Sequence, residues 1–172
     1  MLKTVRISSL PVLSVAPDPG AADRVQIKEC YAKAVKDWNG SECSVDLTPL
    51  VKEKGLLSYV SDAVEGILLG AYEPERYPAA PGKAWRIELP GLSPEAETLV
   101  SETEALVEGI VWARNMTNRP GNLLRPADFA GEVRTLFASL PARENTEVEI
   151  LDAEQMKELG LNAILGVGLS SA

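Results

Sequence analysis

Residues 93–122 read SPEAETLVSETEALVEGIVWARNMTNRPGN, and this stretch decides how the chain is organised. The Ser93 hydroxyl can accept hydrogen bonds from the free backbone N–H groups at a helix start. Pro94 suits the first helical position, and the negative charge of Glu95 complements the positive end of the helix dipole. Apolar residues then recur at helical spacing until the turn cluster of residues 118–122. The pattern predicts one helix of about six turns, with structured regions before and after it.

Strands and helices alternate upstream of this helix. The residues that predict strands are 10–16, 43–47 and 85–89, and those that predict helices are 21–38 and 57–72. The strand at 43–47 alternates like one buried on a single face. Either Cys30 or Tyr31 faces the core from the first helix, and Asn39-Gly40 predicts a stop in the left-handed conformation. This alternation favours an α/β fold with a mainly parallel sheet.

The helix over 57–72 carries Gly66 and Gly70 one turn apart on the same face. In a helix of a globular protein, such a pair most often allows the backbone to pack closely against a neighbouring element. A ligand contact is the less favoured alternative.

Downstream, Pro126 opens a further helix whose predicted buried side holds five apolar residues: Phe129, Val133, Leu136, Phe137 and Leu140. Residues 148–151 predict a strand. Asp152 and Gln155 are spaced as a capping box for a short helix that ends at Gly160. The apolar segment 163–168 predicts no complete element of its own.

The composition excludes several functional classes. The 172 residues carry a net charge of −8, with 11 basic and 12 acidic side chains in residues 1–92 but 6 and 13 in residues 93–172. An acidic surface repels phosphate backbones, which argues against a nucleic-acid partner. Histidine is absent, so the chain cannot build a Ser-His-Asp or Cys-His relay. No membrane span or secretory leader is evident, and a cytoplasmic location is expected.

Other signals of chemistry are weak. Gly166-Val167-Gly168 lacks the third glycine of a dinucleotide-binding loop, and no Walker-type loop is present. The turn Pro17-Asp18-Pro19-Gly20 lies between a strand and a helix, where α/β folds often bind ligands, but a plain tight turn is favoured. Glu104 and Glu108 lie one turn apart on the long helix. We expect both to face water rather than to bind a metal.

Three stretches resemble the leucyl aminopeptidases of the M17 cytosol aminopeptidase family. Residues 108–126, EGIVWARNMTNRPGNLLRP, resemble the family pattern E-G-x-x-x-A-R-D-L-x-N-T-P-P-N-x-L-T-P. Residues 63–77, AVEGILLGAYEPERY, resemble E-G-x-x-L-G-x-Y-x-F-x-R-Y, and residues 159–172, LGLNAILGVGLSSA, resemble L-G-M-x-x-x-L-x-V-x-x-G-S-A. The resemblance covers about residues 62–172 and is only topological before them.

Four departures from the family pattern concern the turn, the start of the next helix and the G-S-A ending. Arg119 and Gly121 replace Thr and Pro in the N-T-P-P-N turn, which makes that turn more flexible. Arg125 stands where Thr would cap the next helix, which costs that helix an acceptor worth about 1 kcal/mol. Ser170 replaces the Gly of the G-S-A ending.

The resemblance also implies where the chemistry lies. Family members hold two divalent metal ions, Zn or Mn, with a Lys and several acidic residues, and the metals activate the hydrolytic water. Those residues lie downstream of the segments matched here. The resemblance therefore assigns this chain no catalytic residue and no metal ligand, and implies that the chain alone is inactive. It leaves only a structural turn signature, formed by Asn118, Pro120 and Asn122.

The domain organisation that the resemblance implies has three parts. Residues 1–92 correspond to a partial N-terminal domain, macro-domain-like and α/β, residues 93–117 to a connecting helix, and residues 118–172 to a helix–strand unit that begins the peptidase domain before the metal site. The implied role is structural and oligomeric, because the family forms homo-hexamers. A separately supplied peptidase-domain half would be a partner.

Two alternatives remain open on the sequence alone. The similarity of the family's N-terminal domain to macro domains allows a small-ligand module that binds an ADP-ribose-like molecule at residues 17–20, although the expected glycine run is missing. DNA binding is disfavoured because no basic stripe is present. An orphan strand at 148–151 would expose unpaired backbone groups, so we expect self-association or docking of the last residues onto the preceding domain.

Overall fold

The computed structural model describes residues 2–3, 11–13, 15, 23–40, 42–48, 50, 57–74, 86–141 and 146–168. The chain divides into two compact units, Met1–Asn115 and Met116–Ala172. The described strands are β1 (Leu2–Lys3), β2 (Val12–Leu13), β3 (Glu42–Val45) and β4 (Arg86–Glu88). The described helices are α1 (Arg24–Lys36), α2 (Tyr59–Gly70), α3 (Pro94–Asn118), α4 (Pro126–Ser139), α5 (Ala153–Glu158) and α6 (Asn162–Gly168).

The strands of the first unit form one parallel sheet in the order β1-β4-β3-β2. Leu2 pairs with Ile87, Cys43 with Ile87, and Val12 with Ser44. Helix α1 lies between β2 and β3 in the sequence, and α2 lies between β3 and β4, as the crossover between parallel strands requires. The predicted α/β fold with a mainly parallel sheet is confirmed.

Strand β3 differs from its prediction because it is buried on both faces. Cys43 and Val45 are fully buried, and Ser44, which alternates with them, is also buried. The strand lies between β2 and β4, and inner strands of parallel sheets are covered on both sides. The alternating pattern alone could not show this second covered face.

Helix α1 begins at a capping box. The carboxylate of Asp23 accepts from the Gln26 backbone N–H at 2.9 Å, and the Gln26 side-chain oxygen accepts from the Asp23 N–H at 3.2 Å. Tyr31, rather than Cys30, faces the core, and burial raises the pKa of its hydroxyl. The buried face is completed by Ile27 and Val35.

The predicted left-handed stop at Asn39-Gly40 is wrong. Helix α1 ends at Lys36, and Asp37 caps it in a right-handed conformation. Gly40 is not among the described glycines with positive φ. It is instead close to Trp38, whose indole Nε1 donates to the Glu42 carbonyl at 3.1 Å. A side chain at Gly40 would come within 2.8 Å of that nitrogen, so the glycine makes room for the indole.

Helices α1 and α2 pack backbone against backbone. A methyl group on Gly66 would overlap the carbonyl oxygen of Lys28, and one on Gly70 would lie 2.5 Å from the carbonyl oxygen of Ala32. Both glycines therefore allow an approach that no larger residue permits. The predicted backbone packing of this glycine pair is confirmed.

Two ion pairs flank this close contact. Arg24 Nε on α1 donates to Asp62 Oδ2 on α2 at 2.8 Å, and Lys28 Nζ lies 2.7 Å from Glu65 Oε2. The hydrogen bond to Asp62 raises the pKa of Arg24. The Asp62 carboxylate is buried, so its partner is needed to offset the desolvation of the charge.

Helix α3 begins as predicted. The Ser93 hydroxyl accepts from the Ala96 N–H at 3.3 Å, and Pro94 is the first helical residue. The same hydroxyl helps to lower the pKa of Glu95, although the first cause is the Glu95 backbone N–H. Helical spacing predicts a buried stripe on this helix, and the prediction is only partly correct: Thr103 is buried, but Leu106 is 58% exposed and Val107 is buried instead. The predicted stripe consists of Leu99, Thr103, Leu106, Ile110 and Ala113.

The second unit has little interior. No residue of α4, α5 or α6 is buried. The predicted buried side of α4 is therefore wrong: Phe129 is 44% exposed and Leu140 37% exposed. Helical periodicity shows which residues share a face but not whether another element covers that face.

The prediction of a strand at residues 148–151 is also wrong. The helix–strand unit that the resemblance implied for residues 118–172 therefore lacks its predicted strand. This segment has no regular structure, and no described strand pairs with it. A strand needs a hydrogen-bonded neighbour, which sequence alternation cannot supply. The apolar segment 163–168 belongs to helix α6.

The short helix α5 follows its prediction closely. Asp152 Oδ1 accepts from the N–H groups of Glu154 and Gln155, both at 2.9 Å, and Gln155 Oε1 accepts from the Asp152 N–H. Gly160 follows the helix with φ +72°, a conformation that favours glycine.

The α1–α2 contact leads to a stability prediction. Gly66→Ala should destabilise the protein by about 1–3 kcal/mol, because the new methyl group forces the two helices apart. The matched control is Gly109→Ala in α3, where a Cβ meets no atom within 4 Å. That change should stabilise by about 0.5–1 kcal/mol through helix propensity alone. Urea unfolding followed by circular dichroism measures both, and a neutral or stabilising Gly66→Ala would contradict the close contact.

Candidate functional site

The turn that carries the signature residues follows α3. Asn118 is the last residue of the helix, and the Pro120 carbonyl accepts from the N–H groups of Leu123 and Leu124, at 2.8 and 3.1 Å. The side chains of Asn118 and Asn122 are exposed. The turn thus brings Asn118, Pro120 and Asn122 into one short segment that leads into α4.

Arg119 contributes an ion pair to this turn. Its guanidinium Nη1 donates to Glu132 Oε1 of α4 at 2.5 Å, and the arginine side chain is 22% exposed. The residue that departs from the family pattern therefore ties the turn to the helix that follows. Threonine is too short to reach the same carboxylate.

The start of α4 shows the predicted loss of a side-chain cap. Arg125 occupies the N-cap position and offers no oxygen to the helix N–H groups. Asp128 partly compensates for the missing cap, because its Oδ2 accepts a hydrogen bond from the Arg125 backbone N–H at 3.0 Å. Pro126 and Asp128 both suit the first turn of a helix.

Tyr72, at the end of the segment that resembles the family's glycine-containing helix, connects to α3. Its hydroxyl donates to Asn115 Oδ1 at 2.7 Å. The Arg114 guanidinium lies 5.7 Å from the centre of the Tyr72 ring, within the range of a cation–π contact. Two stretches that carry the family resemblance are thereby in direct contact.

A cavity of about 350 Å³ opens beside this connection, between Leu68 of α2 and one face of α3. The remaining lining residues share that face of α3: Glu104, Val107, Glu108, Val111, Trp112 and Asn115. We refer to this space as the α2–α3 cavity. Its walls are mainly apolar, and its polar groups are two carboxylates and one amide.

The two carboxylates have different surroundings. Glu104 is partly buried, and desolvation, followed by the nearby charge of Glu108, raises its pKa. Glu108 is exposed. The prediction that both face water is therefore wrong for Glu104, because Leu68 of the neighbouring helix shares the same cavity.

The other sequence candidates do not converge on this cavity. The turn at residues 17–20 lies outside the described residues. Cys30 is exposed and Cys43 is buried. No helix in the described part of the chain is long and apolar enough to cross a membrane.

We tested whether the residues present fit a two-metal centre. Across the described ranges, no three His, Cys, Asp or Glu side chains lie close enough together to hold a metal ion. Glu104 and Glu108 have the apolar Val107 and Trp112 as neighbours, not further carboxylates. The described residues do not fit such a centre, and no hydrolytic step can be derived from them.

The comparisons with known proteins agree with the family resemblance of the sequence. Residues 111–172 match the catalytic-domain model of the cytosol aminopeptidase family. A probable cytosol aminopeptidase of Solibacter usitatus is 36% identical over 117 residues, which cover 67% of this chain and 24% of that protein. A probable cytosol aminopeptidase of Gluconobacter oxydans is 30% identical over 173 residues, which cover 96% of this chain and 33% of that protein.

The chain belongs to the cytosol aminopeptidase family. It spans a third or less of the length of these two curated relatives.

Solved structures support the fold. The bottromycin maturation enzyme BotP matches with a TM-score of 0.68 at 22% identity, over 82% of this chain and 30% of that one. The structure of BotP in complex with Mn matches with a TM-score of 0.57, over 69% of this chain and 25% of that one. At this level of identity, the likeness establishes a shared fold.

Sequence reasoning missed the α2–α3 cavity. A usable signal was present, because Glu104, Glu108, Trp112 and Asn115 recur at positions that share one face of a helix. The pattern did not reveal that Leu68, from a different helix, completes the wall.

The Arg119–Glu132 ion pair leads to a quantitative prediction. In a double-mutant cycle with Arg119→Thr and Glu132→Gln, we expect a coupling energy of about 0.5–1 kcal/mol, because the pair is only partly exposed. Urea unfolding measures the cycle. A parallel cycle in which the exposed Arg134→Thr replaces Arg119→Thr should show no coupling, and equal coupling in both would contradict a specific pair.

Proposed function

We propose that this chain is a non-catalytic, amino-terminal part of a leucyl aminopeptidase-like metallopeptidase. The parent activity would be the release of N-terminal amino acids from peptides by two-metal hydrolysis. In this proposal the chain supports the peptidase domain and contributes to subunit contacts. The observation that carries the proposal is the exposed apolar surface of the second unit.

Three large apolar side chains near the end of this unit are mostly exposed. Exposed fractions reach 63% at Leu159, 59% at Ile164 and 74% at Val167. Large contiguous exposed apolar surfaces mark interaction sites. The second unit also coincides closely with residues 111–172, which match the family's catalytic-domain model. The partner that best fits this surface is the remaining part of a peptidase domain of the same family.

The domain roles follow from the same reasoning. Residues 1–92 would be the partial N-terminal domain, 93–117 the connecting helix and 118–172 the beginning of the peptidase domain. The turn of Asn118, Pro120 and Asn122 would direct the chain from the connecting helix into that domain. Two divalent ions, Zn or Mn, would be held by the complementing half, and the assembled protein would form a homo-oligomer in the cytoplasm.

Complementation in trans tests the proposal. The full chain is co-expressed with the part of the Solibacter usitatus relative that follows its matched segment, and hydrolysis of leucyl-p-nitroanilide is measured with Mn or Zn. We expect neither polypeptide alone to be active and the co-purified pair to turn over substrate. Ile164→Glu should abolish co-purification by placing a charge on the apolar surface, whereas Ser101→Glu, at an exposed site on α3, should not.

Two results would contradict the proposal. One is robust turnover by the chain alone after contaminating peptidases have been removed. The other is the absence of any complex when both polypeptides are folded by circular dichroism.

A further inference from the structure

The α2–α3 cavity is large enough for a small molecule. Its volume of about 350 Å³ falls at the lower end of the range usual for small-ligand sites, about 300–1,000 Å³. It lies within the first unit, and its lining residues come from α2 and α3 alone. The cavity is therefore independent of the apolar surface on the second unit.

The lining combines an apolar wall with an aromatic face. Leu68, Val107 and Val111 supply aliphatic surface, and Trp112 adds an indole ring. An indole face attracts cations through its quadrupole, and a planar guanidinium can also stack on it. A ligand with an aliphatic stem and a positive head would use both surfaces.

The charged groups among the described lining residues of the cavity are both negative. Glu104 and Glu108 lie one turn apart and repel each other, and no Lys or Arg occurs among the lining residues that the structure describes. The nearby Arg114 is placed over the Tyr72 ring. A cation between the two carboxylates would relieve their repulsion, whereas an anion would increase it.

The side-chain amide of Asn115 is the third polar group of the cavity, and a hydrogen bond holds it in one orientation. Asn115 Oδ1 accepts the hydrogen bond from Tyr72, which fixes the amide at one end of the cavity. Its oxygen has a second lone pair, which remains able to accept from a cationic donor. The lining residues that the structure describes include two carboxylates, and no group of three His, Cys, Asp or Glu side chains that could hold a metal ion occurs among the described residues.

We propose that the α2–α3 cavity binds a small organic cation, an ammonium or guanidinium group carried on a short aliphatic stem. The carboxylates of Glu104 and Glu108 would hold the head group, Trp112 would cover it, and the aliphatic wall would receive the stem. A bound cation would favour the charged carboxylate of Glu104 and so lower its raised pKa.

Nuclear magnetic resonance of the full chain tests the site. Butylguanidinium is titrated into ¹⁵N-labelled protein, and the three tryptophan indole N–H resonances are followed. The Trp112 resonance, assigned by its loss in Trp112→Phe, should shift in a saturable way while the other two stay in place. Butanol and butyrate, which have the same stem without the cation, should produce at least tenfold weaker binding.

Variants separate a specific site from general attraction to an acidic protein. Glu104→Gln and Glu108→Gln should each weaken binding of butylguanidinium about tenfold, the loss expected for one partly desolvated ion pair. Glu97→Gln removes the same charge from an exposed position of the same helix and should leave the affinity unchanged. Because Glu108 is exposed, its variant is expected to fold even where Glu104→Gln does not.

The outcomes are decisive in both directions. Equal weakening by Glu97→Gln, equal binding of butanol, or no shift at Trp112 would each overturn the assignment. N-acetylarginine amide carries the same head group within a peptide unit. Tighter binding of this probe than of butylguanidinium would support the site and identify its ligand as an arginine side chain, whereas equal or weaker binding would support a free small cation.

Discussion

The backbone contact between α1 and α2 is the constraint on which the first unit depends. Because Gly66 and Gly70 lack side chains, α2 lies directly against the carbonyl groups of α1. The pairs Arg24–Asp62 and Lys28–Glu65 then fix how the two helices are aligned. With this position set, Ile67 is fully buried in the core beside the sheet, and Leu68 is placed where it completes the wall of the α2–α3 cavity.

The two units differ in how they use their apolar residues. The first unit encloses a continuous core that includes residues of α1, α2, α3 and the sheet. The second forms its helices from local signals, namely the Asp152 capping box and the Arg119–Glu132 ion pair, yet it leaves Phe129 44% exposed and Val167 74% exposed. Local capping can define where a helix begins, but a buried core requires facing elements. This contrast explains why we assign structural support to the first unit and docking to the second.

Sequence reasoning predicted what depends on neighbours along the chain. The start of α3 at Ser93 and the cap of α5 each follow from a residue and its nearest companions, and the glycine contact was predicted from the one-turn spacing of its two glycines. Apart from the stop at Asn39-Gly40, the errors arose where distant residues decide the outcome. Ser44 is buried because β3 is an inner strand, and Glu104 is partly buried because Leu68 approaches from another helix. The family resemblance identified the relatives but did not reveal this cavity.

In the proposed function, this chain provides scaffold rather than a metal centre. The most direct test measures the metal that the purified full chain retains. The chain is equilibrated with Mn or Zn, passed through a desalting column and analysed by inductively coupled plasma mass spectrometry. We expect far less than one metal ion per chain for either metal. Retention of two ions per chain, released only by a chelator, would contradict it.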